Sequence, residues 1–204
     1  MAILQSGLAK SAAGYTIDQS VRYNNTATGG KMTFTPSVGA TSSRKLTYSI
    51  WFKGKSDIAG EADDSDFDFL SANGTDWDSV GLSRLDGQLD WYLQGGTGGR
   101  IITSAEYRDP CSWYHMVLRL DTTTDAGDRM RMYINGDEVT DFATDTNPSL
   151  NYDIYNWNQS SVTQIVNNSQ GGSYPGGCYL AEVHMIDGQS LGPDSFAETD
   201  DTTN

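Results

Sequence analysis

The chain is short of cations. Thirteen Lys and Arg stand against 27 Asp and Glu in 204 residues, a formal net charge of -14. A nucleic-acid binder needs a cationic face to neutralise phosphates. No cluster of Lys and Arg occurs, so that role is excluded, and an anionic membrane surface would repel the chain. The acidity serves solubility, or it supplies a few loop acids to a divalent cation.

Long apolar runs are missing as well. None approaches the ~20 residues of a membrane span, so no membrane insertion is expected. The opening "MAILQSGLAK" has a very short apolar patch with no cleavage pattern after it. That predicts synthesis in a cytoplasm without a secretory leader.

Cysteine is scarce: only Cys111 and Cys178 occur. Two readings stay open. Both thiols are reduced and buried, or they form one disulfide closing a long loop, which stabilises by roughly 4 kcal/mol if unstrained. Neither has a His beside it, which speaks against thiol catalysis. Histidine is equally scarce, with His115 and His184 alone. A zinc site would need the pair adjacent with a third ligand, so structural roles are expected for both. There is no Gly-x-Ser-x-Gly elbow and no phosphate loop.

What is present is turn and strand chemistry. The chain has 22 Gly, 11 Tyr and 5 Trp, a mixture suited to many short strands joined by tight turns. A chain of this length buries roughly 70% of its unfolded surface and needs neither metal nor disulfides for a core. "KLTYSIWFK" (45–53) sets Leu46, Tyr48, Ile50 and Phe52 against Thr47, Ser49 and Trp51. "GQLDWYLQ" (87–94) sets Leu89, Trp91 and Leu93 against Asp90, Tyr92 and Gln94. "WYHMVLRLD" (113–121) and "RMRMYING" (129–136) follow, the latter alternating Met130, Met132 and Ile134 with Arg129, Arg131 and Tyr133. Such alternation marks sheets with one buried face. Asn135-Gly136 predicts a type I′ hairpin, with "DEVTDF" (137–142) as the returning strand. Further strands are predicted at 161–167 and 178–186. Helix signals are confined to one short turn near Pro193, with Ser195-x-x-Glu198 as a rival capping box. The expectation is an all-β, two-sheet antiparallel sandwich over residues 19–204, preceded by an arm at residues 1–18.

Three further groups of residues carry candidate chemistry. In "GEADDSDFDF" (60–69), Asp63, Asp64 and Asp66 are hard oxygen donors that suit Ca²⁺, or they are solvated acids. In "GTDWDS", Trp77 is flanked by Asp76 and Asp78, and "DIYNWNQS" holds Tyr155, Asn156, Trp157 and Asn158. Both stretches are read as loops between strands. Sugars stack their C–H faces on such rings while Asp and Asn bind hydroxyls, so these seven residues are glycan-binding candidates. The competing reading has each ring plugging its own loop onto the sandwich.

"LTYSIWFK", "SWYHMVLRLD", "RMRMYINGDEV" and "YLAEVHMIDGQSLGPDSF" stand in the order that resembles laminin-G-like domains of the concanavalin A-like lectin/glucanase superfamily. The resemblance rests on Trp113 and His115, Tyr133 with Asn135-Gly136, and Glu182 with Leu191, and spans about residues 20–196. It implies a jelly roll. More narrowly, "MAILQSGLAK", "YTIDQSVRYN" and "YRDPCSWYHMVLRLDTTT" are similar to marine bacteriophage virion proteins, which carry this jelly roll in tail fibres or on capsids. That implies a non-enzymatic structural protein on the virion surface, a capsid decoration or short fibre. Its arm would contact other virion proteins, its loops would engage host-surface glycans, and it would assemble as a homotrimer, as such appendages commonly do. No cofactor is required, though calcium is compatible. The alternatives are a stand-alone lectin, with or without calcium, and a glycan hydrolase.

The hydrolase reading turns on "AEVHMIDG". Laminarinase-type glucanases carry Glu-x-Asp-x-x-Glu on one strand, with nucleophile and acid/base about 5 Å apart. Here the spacing is Glu182-x-His184-x-x-Asp187. Alternation puts Glu182 and His184 on one face and Asp187 on the other unless a bulge intervenes. Asp187-Gly188 also signals a turn, which places Asp187 past the strand end. Two catalytic acids are therefore not expected here.

Overall fold

The computed structural model describes residues 19–23, 32–54, 67–73, 77–82, 87–93, 98–154, 156–157, 160, 162–165 and 178–198. Within these, the strands in chain order are β1 (Val21–Tyr23), β2 (Met32–Phe34), β3 (Lys45–Lys53), β4 (Phe67–Asn73), β5 (Trp77–Leu82), β6 (Gln88–Leu93) and β7 (Gly99–Glu106). They continue with β8 (Tyr114–Asp121), β9 (Met130–Ile134), β10 (Asp137–Glu138), β11 (Phe142–Thr146), β12 (Val162–Ile165) and β13 (Cys178–Asp187). One sheet has the order β1-β13-β3-β8-β9-β10 and the other β11-β7-β6-β5-β4-β12-β2. All neighbours are antiparallel. The architecture is the two-sheet antiparallel sandwich that the alternation predicts, and it is consistent with the jelly roll that the resemblance implies. Among the described residues no helix is long and apolar enough to cross a membrane.

The core lies between the sheets. Leu46, Tyr48, Ile50 and Phe52 of β3 point inward with Met116, Leu118 and Leu120 of β8 and Met130, Met132 and Ile134 of β9. From the other sheet come Phe69, Val80, Leu82, Leu89, Trp91, Leu93 and Ile101. Phe52 meets Phe69 across the gap with ring centroids 4.5 Å apart. Each fully buried side chain of this size contributes roughly 1.5–3 kcal/mol. Truncating Phe52 to Ala would cost about 3–5 kcal/mol through lost burial and the cavity left behind.

The strand β3 departs from the one-buried-face expectation. Thr47, Ser49 and Trp51, on its outer face, are buried as well. The cover over Thr47 is the segment after β13. Thr47 Oγ1 donates to Gln189 O and accepts from Leu191 N, both at 2.8 Å. Arg119 Nε, on the same face, donates to Ser190 Oγ at 2.6 Å. The segment ends in a 3-10 turn, Pro193–Ser195, with Pro at its start and no side-chain cap. The predicted Pro193 signal therefore marks this turn, and the rival Ser195 capping box starts no helix.

The Asn135-Gly136 hairpin forms as predicted, with φ of 53° and 92° at its two central residues. Positive φ at both positions is what the type I′ turn requires. Its returning strand is shorter than predicted. β10 ends at Glu138, and the chain then leaves this sheet so that β11 pairs with β7 in the other.

Candidate functional site

The outer face of the six-stranded sheet carries Glu182, His184 and His115, three of the residues singled out in the sequence. Its centre is a bulge in β13. Ala181 pairs with Trp51 and His184 with Ser49, so two residues of β13, Glu182 and Val183, oppose the single residue Ile50. Glu182 takes a left-handed backbone, φ 47°, a conformation that the first residue of a G1 bulge adopts as a glycine. The extra residue shifts the alternation. Val183 and Met185 now turn inward and pack on the core, and Tyr48 Oη donates to Met185 Sδ at 2.8 Å. His184 turns outward beside Phe196 of the covering segment, ring centroids 6.1 Å apart.

This geometry separates the two acids of "AEVHMIDG". Glu182 Oε2 lies 3.3 Å from His184 Nε2 on the outer face. Asp187 pairs with core-facing Leu46, so it follows the opposite parity, and its Oδ2 accepts from Thr41 N at 2.8 Å. The bulge lies before His184 rather than between His184 and Asp187, so it does not bring Asp187 round. Contrary to the sequence reading, Asp187 is the last residue of β13 and not beyond it. The pair is not arranged as the two carboxylates of a glycosidase, which must flank one bond.

Next to the bulge, Trp51 and His115 stack, centroids 4.7 Å apart and planes 14° from parallel. His115 Nε2 and Ser49 Oγ share a hydrogen bond of 2.8 Å, and the His115 backbone N–H donates to Asn135 Oδ1 at 2.9 Å. Burial, with a smaller contribution from His184, pushes the His115 ring down to about 4. The ring is therefore neutral near pH 7. A serine beside a histidine is a nucleophile–base pairing by residue type, but both side chains are closed off from solvent, and a reacting group must be reachable. The pair ties β3 to β8.

Away from the covering segment the face opens. Arg22, Tyr179 and Lys53 stand side by side across β1, β13 and β3. The pairing of Phe52 with Tyr114 puts Trp113 next in line after Lys53. Trp113 and Tyr179 approach edge to face at 6.4 Å, and both are half-buried. The sequence reading passed over this group. Its members come from four separate stretches, and only the strand order joins them.

The loop candidates land elsewhere. Trp77 is not in a loop; it opens β5, paired with Asn73. Asp78, Asn156 and Trp157 are all buried. Trp157 N donates to Asp78 Oδ2 at 3.2 Å, and the indole meets Tyr48 edge-on at 4.9 Å. Trp157 thus plugs its loop onto the sandwich and turns no ring face to solvent, which corrects the glycan-stacking expectation for these three. Asp76, Tyr155 and Asn158 lie outside the described residues, as do Asp63, Asp64 and Asp66 and the arm at 1–18. Among the described residues no three His, Cys, Asp or Glu cluster as metal ligands would. Cys111 and Cys178 are both free, the first exposed and the second buried. The two do not bridge in this structure, against the disulfide alternative, and Cys111 is not buried as the other reading had it; burial pushes the Cys178 thiol well up.

Comparison with known proteins agrees with this architecture. The binding domain of Paraclostridial Mosquitocidal Protein 1 is similar at TM-score 0.55 and 15% identity, over 94% of this chain and 48% of that one. The binding domain of botulinum neurotoxin DC, solved with rat synaptotagmin II, is similar at TM-score 0.55 and 14% identity, over 85% and 40%. The same toxin's binding domain solved with SialylT gives 0.56 and 14%, over 86% and 39%. The chain spans less than half the length of each. No curated protein matches the sequence. Residues 26–189 match the Laminin_G_3 family, and the chain belongs to that family of the concanavalin A-like lectin/glucanases superfamily.

Proposed function

We propose that this chain is a non-catalytic binding module that displays a lectin-like jelly roll on a bacteriophage virion, as a capsid decoration or short fibre, and holds host-surface glycans. The observation that carries the glycan reading is the open end of the outer sheet face. There Trp113 and Tyr179 keep part of their rings in reach of solvent instead of in the core. An amphipathic ring offers a sugar both a flat apolar contact and a polar edge. Trp77, at the start of β5, and Asp76, Tyr155 and Asn158 are kept as further candidates.

The non-catalytic reading draws support from the divided acids Glu182 and Asp187 and from the solved relatives, which are themselves named as binding domains. The virion setting rests on the sequence resemblance, with residues 1–18 as the proposed attachment arm and other virion proteins as partners. A homotrimer is the assembly proposed. Calcium at Asp63, Asp64 and Asp66 is the variant of this reading in which the module is a calcium-dependent lectin.

A glycan array probed with the full chain, with and without EDTA, tests the binding. Retention of a defined set of glycans is expected, and loss in EDTA would select the calcium variant. Silence across the array would sink the glycan reading. Immunogold labelling of particles from an infected culture tests the setting; label confined to the soluble fraction would remove it.

A further inference from the structure

We infer that the open end of the outer sheet face is a site for an acidic saccharide, gripped by Arg22 and Lys53 on either side of Tyr179 in the strand order; this rests on the glycan reading above. Paired positions of neighbouring strands project from the same face. Arg22 pairs with Tyr179 and Tyr179 with Lys53. The residues one step along, Leu180 and Phe52, are buried in the core, so these three point outward. The Arg22 guanidinium carbon lies 5.7 Å from the Tyr179 ring centroid and Lys53 Nζ lies 6.0 Å from it.

What sets these two cations apart is their lack of a carboxylate in ion-pair contact. Arg44, Lys45, Arg100, Arg108 and Arg131 each hold a carboxylate, on Asp153, Asp121, Asp90, Glu106 and the pair Asp128 and Glu138 respectively. Arg119 and Arg129 donate to neutral oxygens. Among the described residues only Arg22 and Lys53 face a ring and form no ion pair with a carboxylate. In a chain with 27 acids and 13 bases, two cations without a direct ion-pair partner are a local positive feature. Asp109 is near enough for Lys53 to favour its ionised form. Its two oxygens accept from Cys111 N at 2.7 Å and Ser112 Oγ at 2.5 Å, so it offsets part of the Lys53 charge from a distance without holding the ammonium. More distant acids are screened beyond about 8 Å at physiological ionic strength, so the local sign of the potential governs contact.

The group of side chains fits one anionic sugar better than other acids. A guanidinium forks onto a carboxylate or sulfate, and an ammonium adds a point charge. Trp113 and Tyr179 supply ring edges for a pyranose, and the phenol reaches hydroxyls. A nucleic acid would need a longer track of cations to match its phosphates.

The test titrates the full chain with three saccharides of equal length: an oligogalacturonate, a sulfated dextran fragment and plain dextran. Calorimetry gives the affinities, and backbone NMR locates the site. At least one charged saccharide should bind about tenfold or more tighter than plain dextran, weaken with added salt, and shift the resonances of Arg22, Lys53 and Tyr179. The carboxylated and sulfated arms tell which anion is preferred. Arg22→Gln and Lys53→Gln keep the aliphatic stems on solvent-facing positions, so the thermal midpoint should hold while the charged preference falls, and the double variant should lose it. Equal binding of charged and plain dextrans, or a preference that survives in the double variant, overturns the acidic site and leaves the glycan reading standing. No binding of any saccharide sinks both. Inorganic sulfate alone perturbing these three residues, with no saccharide bound, replaces the sugar with a small anion and overturns this inference.

Discussion

Ser49 Oγ and His115 Nε2 meet at 2.8 Å, diagonally across β3 and β8, under a stacked Trp51. The contact is polar, buried and away from the hydrophobic core. Its consequence is a pH dependence carried by a single ring. In the folded chain His115 is held neutral, down to about 4, whereas a free histidine titrates near 6.5. Between those values the unfolded chain takes up a proton that the folded chain refuses. Stability therefore falls as pH drops from about 6.5 to about 4, and this group takes no further toll below that. The full loss is roughly 3 kcal/mol. Urea midpoints should fall more steeply over that range in the wild type than in His115→Gln. Parallel curves would show that His115 does not carry the effect.

The thiols give a simpler readout. Cys111 is exposed and Cys178 is closed in at the start of β13. A thiol needs access and ionisation to react, and burial denies Cys178 both. An aromatic disulfide reagent should therefore titrate one thiol in the native chain and two in denaturant without reductant. No thiol released in denaturant would mean that the two are bridged after all.

How much of this was legible beforehand follows from what each feature depends on. β3, β8 and β9 announce themselves because every second residue is apolar and enters the core. β7 hides because Ile101 and Ile102 are adjacent, one buried and one half-buried, which blurs the period of two. Its inward Thr103 is made tolerable by bonds that sequence does not display, from Leu89 N and to Ala105 O. β11 is a largely exposed edge with a bulge, and "FATDT" has no apolar rhythm. At the site the limit is register. Trp157 looks like a surface ring among Asn residues until Asp78, 79 positions away, binds its backbone. Arg22, Tyr179 and Lys53 become neighbours only through the β1-β13-β3 order.

Trp157 is accordingly expected to behave as core. The ring is buried against Tyr48. Trp157→Ala should cost about 3–5 kcal/mol of stability, by lost burial and a residual cavity. Equilibrium unfolding in urea measures this directly. A variant as stable as the wild type, but impaired in glycan retention, would return Trp157 to the list of ligand contacts.

Glu182 offers the converse experiment, in which a side chain is removed and the fold gains. A left-handed backbone places Cβ against the following carbonyl and costs a residue other than glycine about 1–2 kcal/mol. Glu182, at φ 47°, bears that cost. Among the contacts of its side chain is the one with His184, 3.3 Å long with both partners partly in solvent. Such pairs contribute about 0–1 kcal/mol, and this one counts as an ion pair only with His184 protonated. Glycine relieves the strain but enlarges the freedom of the unfolded chain, which gives back part of the gain. Set against the His184 contact, the backbone strain favours Glu182→Gly by up to about 1 kcal/mol, a rise of about 2–4 °C in thermal midpoint for a chain of this size. Calorimetry would decide it. A lower midpoint would mean that the Glu182 side chain holds the bulge and the His184 ring in place by more than its backbone strain costs.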